Sequence, residues 1–295
     1  MSSPSNEIDQ QANAQVNAQV NLEGLGSTVA VVQLVSKLNV QDNLSAAALQ
    51  IARASQLGAE LIMLPESFAV FGDPQMLAYG AQAALPNQGL RLWLSQQAKL
   101  NQIWLIGGTI PCQQGIQDPS KVRSACFVYD AQGQEVARYD KIHMFDVDIA
   151  DSHGSYRESD TFEAGDQLVV VDTPVGKVGL TICYDLRFAE IHAQLVDRGA
   201  QIIVNGAAFT KTTGEAHWHT LLKARAIETQ CYLLAASQGG QHDHRQTYGH
   251  SMIINPWGTI LAELAQGPGV AIAKVDLQQL QAIRQAFPLQ LQRRL

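Results

Sequence analysis

The chain has 295 residues, of which 46% are hydrophobic and 16% are charged, and its formal net charge at pH 7 is -7. This length and composition are typical of a globular protein with a sizeable core. The negative balance, without a Lys/Arg-rich run, argues against nucleic acid as a partner, because nucleic-acid binding usually needs a basic surface. No stretch approaches the roughly 20 apolar residues that a membrane span requires.

Residues 1–27 differ in composition from the rest of the chain. They are rich in Gln, Asn, Ala and Ser, and the tetrapeptide at 13–16 recurs at 17–20. Such a segment buries too little apolar surface to offset its ordering entropy, so we expect a disordered leader, with a short solvated helix as the alternative. The first basic residue is Lys37. We therefore expect neither a secretory signal nor an Arg-rich transit peptide. We expect a cytoplasmic location.

From residue 28 onward the sequence predicts alternating strands and helices. Asp42 is the predicted cap of the first helix, and Gly58 is its predicted end. The segments that begin at Gly58 and Gly199 resemble each other, because in both a helix ends at the glycine and a buried strand follows at once. This echo indicates two related α/β halves in one domain over residues 28–295, with two sheets face to face and helices outside.

The predicted elements follow from the spacing of apolar residues and from turn residues. In chain order they are a strand at 28–36, a helix at 43–57, a strand at 61–64, a helix at 90–100, a strand at 103–110, a hairpin of 125–129 and 135–139, a hairpin of 168–172 and 177–182, a helix at 188–198, a strand at 202–204, a helix at 215–229, strands at 232–236, 251–254, 261–264 and 270–275, and a helix at 277–286.

Three reactive side chains follow predicted strands, namely Glu66, Lys141 and Cys183. Open α/β sheets bind ligands beyond their strand ends, so these groups could converge there. Cys183 also lies at a strand-to-helix turn, where backbone N–H groups and the helix dipole favour a thiolate. Each residue also has a simpler interpretation. Cys183 could pack in the core, Glu66 could cap a helix, and Lys141 could be a solvated surface residue. The other cysteines, with no CxxC pair, are expected to be buried small hydrophobes.

Three segments resemble the catalytic signatures of the nitrilase superfamily of carbon–nitrogen hydrolases. They are Leu-Pro-Glu at 64–66, Asp-Lys-Ile-His at 140–143 and Ile-Cys-Tyr-Asp-Leu-Arg-Phe at 182–188, in the family's order and at its usual separations. The resemblance extends over residues 28–295. It implies a four-layer α-β-β-α sandwich, a homodimer or higher homo-oligomer, and no cofactor.

The resemblance also implies the roles of the site residues. Glu66 would be the general base that takes the thiol proton of Cys183, and Cys183 would attack the carbonyl of a small linear amide. The Lys141 ammonium and the backbone N–H of Tyr184 would stabilise the oxyanion, and a thioester would then be hydrolysed. Glu158 matches a second glutamate of the family, which orients the lysine and lines the pocket. A charge on a surface loop is its alternative.

The second half of the chain is most similar to the deaminated glutathione amidases, in the segments 225–232 and 248–252 and around Arg245. These enzymes cleave the amide that joins a 2-oxoglutaryl group to cysteinylglycine, which is a metabolite repair. The segment 208–218 is shared with the omega-amidases.

The same resemblance implies three substrate contacts, at Arg187, Phe209 and Thr213. Arg187 could clamp the carboxylate of a 2-oxo acid through two N–H groups, as a lysine could not. A structural salt bridge for Arg187 and core packing for Phe209 remain as alternatives.

Two His-x-His pairs, His217 with His219 and His242 with His244, suggest a metal site. The first pair is spaced so that its members lie on different faces of a predicted helix. We therefore expect no metal. A dyad of Cys183 with a distant histidine is a further alternative for the mechanism.

Several functions remain as alternatives to deaminated glutathione hydrolysis. The nearest is an omega-amidase acting on 2-oxoglutaramate, followed by hydrolases of carbamoyl amides and of nitriles. An alternative of another class is a non-catalytic binding protein on the same scaffold. The presence of Glu66, Lys141 and Cys183 together argues against that alternative.

Overall fold

The computed structural model describes residues 26–72, 74–149, 154–243 and 245–294. The predicted leader lies outside the described residues up to residue 25, and its last residue, Ser27, begins the first strand. In the described part of the chain no helix has the length and apolar character needed to cross a membrane.

The strands and helices alternate as the sequence predicts. In chain order they are β1 Ser27–Gln33, α1 Val40–Gln56, β2 Leu61–Met63, α2 Met76–Ala83, α3 Gly89–Asn101, β3 Trp104–Ile106, β4 Ile110–Cys112, β5 Arg123–Tyr129, β6 Glu135–Asp140, β7 Asp146–Asp148, β8 Ser155–Arg157, β9 Val170–Thr173, β10 Gly176–Ile182, α4 Ala189–Asp197, β11 Ile202–Ala207, α5 Lys211–Thr229, β12 Tyr232–Ser237, β13 Met252–Ile254, β14 Ile260–Glu263, β15 Gly269–Val275, α6 Leu277–Ala286 and α7 Leu289–Gln292. Short 3₁₀ helices span Glu158–Asp160 and Cys183–Arg187.

The strands form two large sheets and a small ribbon. The first sheet has the order β15-β1-β2-β3-β5-β4, with β6 paired to β5, and the second has the order β14-β13-β12-β11-β10-β9. In each sheet three successive strands are parallel, β1-β2-β3 in the first and β10-β11-β12 in the second. β7 and β8 pair only with each other. The two sheets therefore repeat one α/β pattern, as the sequence echo indicates.

Alternating side chains of the first sheet divide the core into layers. Val29 and Val31 of β1 belong to the buried cluster that contains the strands of the second sheet and the apolar face of α5. Ala30 and Val32, which point to the other face of the sheet, pack in a cluster with residues of α1 and α3, such as Ile51. The layers are therefore α-β-β-α, which confirms the fold class expected from the sequence.

The two halves share one kind of helix ending. α1 is followed by Gly58 with φ +86° and by β2, and α4 is followed by Gly199 with φ +93° and by β11. The predicted cap of α1 is wrong, because the Asn39 side chain, and not that of Asp42, accepts the N–H groups of Gln41 and Asp42. Val40 is already helical, so Asp42 lies in the first turn, where its charge suits the helix dipole.

The strand predicted at 103–110 is broken in two. β3 ends at Ile106 and β4 begins at Ile110, with Gly107 and Gly108 between them. Gly108 has φ +55°, and a Cβ there would collide with the carbonyl oxygen of Pro65. The break therefore leaves room for the segment that carries Glu66. Two further features were not predicted from the sequence. They are α2, which has no side-chain cap, and the ribbon of β7 and β8.

Candidate active site

A cavity of about 230 Å³ lies where β2 and β10 end. Its lining contains all of the predicted site residues except Lys141, which is buried behind it with 1% of its surface exposed. The lining residues are Glu66, Ser67, Ser124, Phe145, Tyr156, Arg157, Glu158, Phe162, Cys183, Tyr184, Arg187, Ala208, Phe209, Thr210, Thr213 and Arg245. No histidine is among them in the described part of the chain, which argues against a Cys–His dyad.

Lys141 joins two carboxylates beside the cavity. Its Nζ lies 2.9 Å from Glu66 Oε1 and 2.7 Å and 2.8 Å from the two carboxylate oxygens of Glu158. Glu158 also accepts the backbone N–H of Phe145 at 2.7 Å. The solvated surface position considered for Lys141 and the loop surface charge considered for Glu158 are therefore wrong. Glu158, at the start of a 3₁₀ helix, is therefore a second carboxylate that fixes the lysine.

The backbone on both sides of Glu66 is fixed by side chains from other elements. Gln238 donates from Nε2 to the carbonyl oxygen of Glu66 at 3.1 Å. Ser67, which has φ +53°, donates its N–H to Thr109 Oγ1 at 2.8 Å. Thr109 directly follows the break at Gly108, so the interrupted strand also supplies a hydrogen bond to the segment of Glu66.

Cys183 is the first residue of the 3₁₀ helix after β10, and its φ is +44°. A non-glycine residue in this left-handed region is strained, and such strain is common at functional sites. The residue is 9% exposed, and its environment favours the neutral thiol. Burial raises the pKa of Cys183 well above its usual value, the Glu66 carboxylate raises it further, and Lys141 and the Ala208 backbone only partly oppose them. The carboxylate and burial thus outweigh the backbone N–H groups that favour a thiolate, which agrees with the expectation that Glu66 removes the thiol proton.

The charges of the two partners of Cys183 follow from their contacts. Burial alone would lower the pKa of Lys141, but the Glu158 and Glu66 carboxylates outweigh it and hold that pKa well above its usual value. Burial also raises the pKa of Glu158, which Lys141 opposes and the charge of Glu66 supports. The lysine is thus a fixed ammonium next to a cysteine that needs a base to lose its proton.

Asp185, which the sequence analysis did not single out, links the turn of Cys183 to the strand before Lys141. Its carboxylate accepts the Tyr139 hydroxyl at 2.7 Å and the Ile182 N–H at 2.9 Å. It also accepts the backbone N–H of His143 at 3.0 Å, and the ring Nδ1 of His143 lies 2.7 Å away. Asp185 has no exposed surface. In the sequence, this role is indicated by the position of Asp185 two residues after Cys183.

Arg187 lies in the cavity without an acidic partner. Its guanidinium carbon is 5.2 Å from the ring centroid of Phe209 and 5.6 Å from that of Tyr184, and Nη1 is 3.2 Å from His217 Nδ1. No carboxylate pairs with it among the described residues, and its buried Nε has no hydrogen-bond partner there. The structural salt bridge considered for Arg187 is therefore not found in this part of the chain, and the guanidinium is available to an anion.

Phe209 and Thr213 have both a packing and a lining role. Phe209 is 4% exposed and contacts the ring of Trp218, with a centroid distance of 4.8 Å, while another part of it faces the cavity. Thr213 donates its N–H to Thr210 Oγ1 at 3.2 Å, so Thr210 caps α5. The cap holds the first turn of α5 against the cavity.

Several other residues that line the cavity were not expected from the sequence. Arg157 and Arg245 add positive charge, and Phe145, Tyr156 and Phe162 add aromatic surface. Arg157 adjoins Glu158 in the sequence, and Arg245 lies in a segment quoted for the family resemblance. They lie on segments far apart in the chain, so sequence spacing alone could not bring them together.

The members of the first histidine pair face different partners. His217 contacts Arg187, whereas His219 Nε2 lies 2.8 Å from Glu263 Oε1, so the two face different partners as predicted. His242 has both ring nitrogens hydrogen-bonded, to Ser36 O and Thr247 Oγ1. His244 lies outside the described residues.

A group of side chains outside the cavity could hold a metal ion. It consists of His219, His250 and Glu263, whose ligand atoms lie within 4.8 Å of one another. His219 Nε2 and His250 Nδ1 contact the same carboxylate oxygen of Glu263, at 2.8 Å and 2.7 Å. The three residues come from α5, a loop and β14, so the spacing of residues within one helix does not reveal them.

Comparison with known proteins agrees with this geometry. The carbon–nitrogen hydrolase family model matches residues 28–285. A deaminated glutathione amidase of Yersinia enterocolitica is 42% identical over 265 residues, with 89% of this chain and 91% of that protein covered. A deaminated glutathione amidase of Mus musculus is 41% identical over 268 residues, with 88% and 81% covered. An omega-amidase of Xenopus laevis is 38% identical over 270 residues, with 90% and 94% covered.

Solved structures show the same fold. The NitFhit protein of C. elegans has a TM-score of 0.83 and 35% identity, over 92% of this chain and 66% of that one. A nitrilase-superfamily member of Saccharomyces cerevisiae has a TM-score of 0.81 and 32% identity, over 91% and 97% of the two chains. With its nitrilase-like α-β-β-α sandwich, the chain belongs to the carbon–nitrogen hydrolase family, and it is an amidase that hydrolyses carbon–nitrogen bonds of amides other than peptide bonds.

Proposed function

We propose that the chain hydrolyses deaminated glutathione to 2-oxoglutarate and cysteinylglycine through a thioester on Cys183. The observation that carries the reaction is the placement of Lys141 between Glu66 and Glu158 beside that buried, strained cysteine. The substrate is supported by relatives named deaminated glutathione amidase. The guanidinium of Arg187, which lines the cavity and has no acidic partner among the described residues, supports it too.

Acylation begins with a proton transfer, because the raised pKa of Cys183 keeps it a thiol at rest. Glu66 takes the proton as Sγ attacks the amide carbonyl carbon and the carbonyl π electrons move to the oxygen. The tetrahedral intermediate collapses when the carbon–nitrogen bond breaks. Glu66 returns the proton to the leaving nitrogen, so cysteinylglycine departs as a neutral amine and a thioester remains.

The oxyanion needs donors that are already in place. The Lys141 ammonium has three N–H bonds, and its contacts with Glu66 and Glu158 hold it at the inner side of the cavity. The backbone N–H of Tyr184 is in the first turn of a 3₁₀ helix, where amides lack a partner within the helix. We assign these two groups to the oxyanion, and to Glu158 the orientation of the lysine.

Deacylation reverses the proton path with water. Glu66 takes a proton from a water molecule as its oxygen attacks the thioester carbon, and the same donors stabilise the second oxyanion. The carbon–sulfur bond then breaks, 2-oxoglutarate leaves, and the proton on Glu66 passes to the thiolate of Cys183. The enzyme is restored without a cofactor.

The acyl half of the substrate carries a carboxylate next to its 2-oxo group. We assign this carboxylate to Arg187, because its guanidinium lies against the rings of Tyr184 and Phe209 and has no acidic partner among the described residues. A planar guanidinium binds a carboxylate through two parallel hydrogen bonds. Phe209 and Thr213 would contact the same half of the substrate from the cavity wall.

A second candidate is hydrolysis of 2-oxoglutaramate, the activity named for the omega-amidases, of which one relative is 38% identical. This substrate has the same acyl half, so Arg187 would serve it equally. A non-catalytic binding role is disfavoured, since it would not require the strained φ of Cys183 next to a base and a fixed ammonium.

Three further proposals follow from membership of the family. Residues 28–295 would form one catalytic domain, which the family match over 28–285 supports. The chain would assemble as a homodimer or higher homo-oligomer. It would work in the cytoplasm, where its thiol-dependent chemistry is kept reduced.

The test is a comparison of kcat/KM for deaminated glutathione and for 2-oxoglutaramate, with release of 2-oxoglutarate as the readout. We expect a large preference for deaminated glutathione, no turnover by Cys183→Ala, and turnover by the matched control Cys112→Ala, whose sulfur is buried elsewhere. A preference for 2-oxoglutaramate would make the chain an omega-amidase with the same mechanism. Turnover by Cys183→Ala would contradict the mechanism.

A further inference from the structure

We propose that Arg245 binds the carboxylate at the leaving-group end of the substrate, which in deaminated glutathione is the C-terminal carboxylate of the glycine. This inference rests on the proposed function, because the substrate named there has a carboxylate on each side of the scissile amide. Arg187 accounts for one of them. The carboxylate of the leaving group needs a second cation in the cavity.

Of the arginines that line the cavity, Arg157 is already occupied. Its Nη2 lies 2.9 Å and 3.1 Å from the carboxylate oxygens of Asp148, and Nη1 donates to the carbonyl oxygens of Val147 and Tyr156. Arg245 makes no ion pair or side-chain hydrogen bond with the described residues, and it is partly exposed at the cavity. Its guanidinium is therefore the one left for a second anion.

Arg245 is held in place without using its N–H groups. Its guanidinium carbon lies 4.4 Å from the ring centroid of Phe71, and Phe71 stacks on His242 with a centroid distance of 4.2 Å. His242 is fixed in turn by hydrogen bonds to Ser36 and Thr247. A cation over an aromatic face keeps its donors at the edge, where they can bind a carboxylate.

The guanidiniums of Arg187 and Arg245, which have no acidic partner among the described residues, pack on aromatic rings from different segments. Arg187 packs on Tyr184 and Phe209, which follow strands of the second sheet. Arg245 packs on Phe71, which lies five residues after Glu66 in the segment that follows a strand of the first sheet. A substrate with a carboxylate on each side of the scissile bond needs two such separately supported cations.

The leaving group is long enough to reach a separate cation. Cysteinylglycine has two residues, and an extended chain of two residues spans roughly 7 Å. Its carboxylate therefore lies well away from the attacked carbon when the amide is beside Cys183. The nitrogen released from 2-oxoglutaramate carries no carboxylate, so Arg245 would favour the dipeptide leaving group and leave the acyl half unaffected.

The experiment removes the charge from the enzyme and from the substrate separately. Wild type, Arg245→Gln and the matched control Arg157→Gln are assayed with deaminated glutathione, with its C-terminal carboxamide and with 2-oxoglutaramate. We expect Arg245→Gln to lower kcat/KM for deaminated glutathione by about 10- to 100-fold, the usual loss for a charge-assisted hydrogen bond. On the carboxamide, which lacks the charge, wild type should already be slower by a similar factor. The further loss in the variant should be below about threefold.

The outcomes separate this proposal from the proposed function. An equal loss on all three substrates would mean that Arg245 supports the fold, and no loss on deaminated glutathione would mean that it binds nothing there; either result overturns the proposal while the substrate assignment stands. If wild type hydrolyses 2-oxoglutaramate but not deaminated glutathione, the substrate assignment fails and this proposal fails with it. Arg157→Gln should leave the ratio between deaminated glutathione and its carboxamide unchanged.

Discussion

The Tyr139 hydroxyl donates a 2.7 Å hydrogen bond to the carboxylate of Asp185, and this contact joins the two sheets behind the candidate active site. Tyr139 belongs to β6 of the first sheet and precedes Lys141 by two residues. Asp185 follows Cys183 by two residues in the turn after β10 of the second sheet. The distance between the ammonium and the nucleophile therefore depends on one buried carboxylate.

Asp185→Asn should lower kcat by about 10- to 100-fold with a smaller effect on KM. The carboxylate accepts from Tyr139, Ile182 and His143, and an amide would turn an N–H toward one of these donors. A buried donor left without an acceptor costs about 1–3 kcal/mol, so the melting temperature should also fall. Steady-state kinetics and thermal unfolding would measure the two effects.

Tyr139→Phe is the milder control for this prediction. It removes one donor and leaves Asp185 with its backbone partners, so we expect a smaller loss of kcat than in Asp185→Asn. An Asp185→Asn enzyme with the wild-type kcat would show that the contact between the sheets does not position the proposed catalytic groups.

Lys141→Ala should lower kcat by at least about 100-fold, the usual loss for one oxyanion donor. It would also leave Glu66 and Glu158 buried close together without their shared cation, which disfavours their ionised forms. Lys99→Ala, at an exposed position near the end of α3, is the matched control and should keep the wild-type kcat. A change in KM alone for Lys141→Ala would mean that the lysine only binds substrate.

The sequence could predict the order of elements and the groups at the ends of strands. Apolar periodicity and turn residues are local, and they located α6 at its observed bounds and both hairpins. The family resemblance pointed to Glu66, Lys141 and Cys183, and the structure brings them together.

What the sequence could not predict depends on contacts between distant segments. Gly108 breaks a strand because Pro65 crosses close to it, and nothing in the apolar pattern at 103–110 shows this crossing. Asp185 accepts from Tyr139 and from the backbone of His143 only because the two sheets stack. Arg245 reaches the cavity because Phe71, far away in the chain, supports it.

Arg187→Lys should weaken 2-oxo acid substrates more than simple amides. A lysine cannot form two parallel hydrogen bonds to a carboxylate, nor pack a flat cation on Phe209 and Tyr184. We expect kcat/KM for 2-oxoglutaramate to fall by about 10-fold or more, and kcat/KM for butyramide to fall by much less. An equal loss on both amides would indicate a structural role for the arginine.

His192→Leu should reduce the dependence of stability on acid pH. His192 is fully buried on α4, its Nδ1 lies 2.9 Å from Phe188 O, and its Nε2 has no partner among the described residues. Burial lowers the pKa of His192 to about 4, whereas an unfolded histidine titrates near 6.5. As the pH falls through 6.5, His192 binds a proton in the unfolded chain. In the folded chain it stays neutral until about pH 4. Wild type therefore loses stability across this window.

The leucine variant has no such group to protonate, so its unfolding free energy should fall less between pH 7.5 and pH 4.5. The difference should be on the order of 3 kcal/mol at most, as judged by urea unfolding at the two values of pH. Part of the acid dependence should persist, because burial also lowers the pKa of His242 to about 4. Parallel losses in wild type and variant would show that His192 is not held neutral in the folded protein.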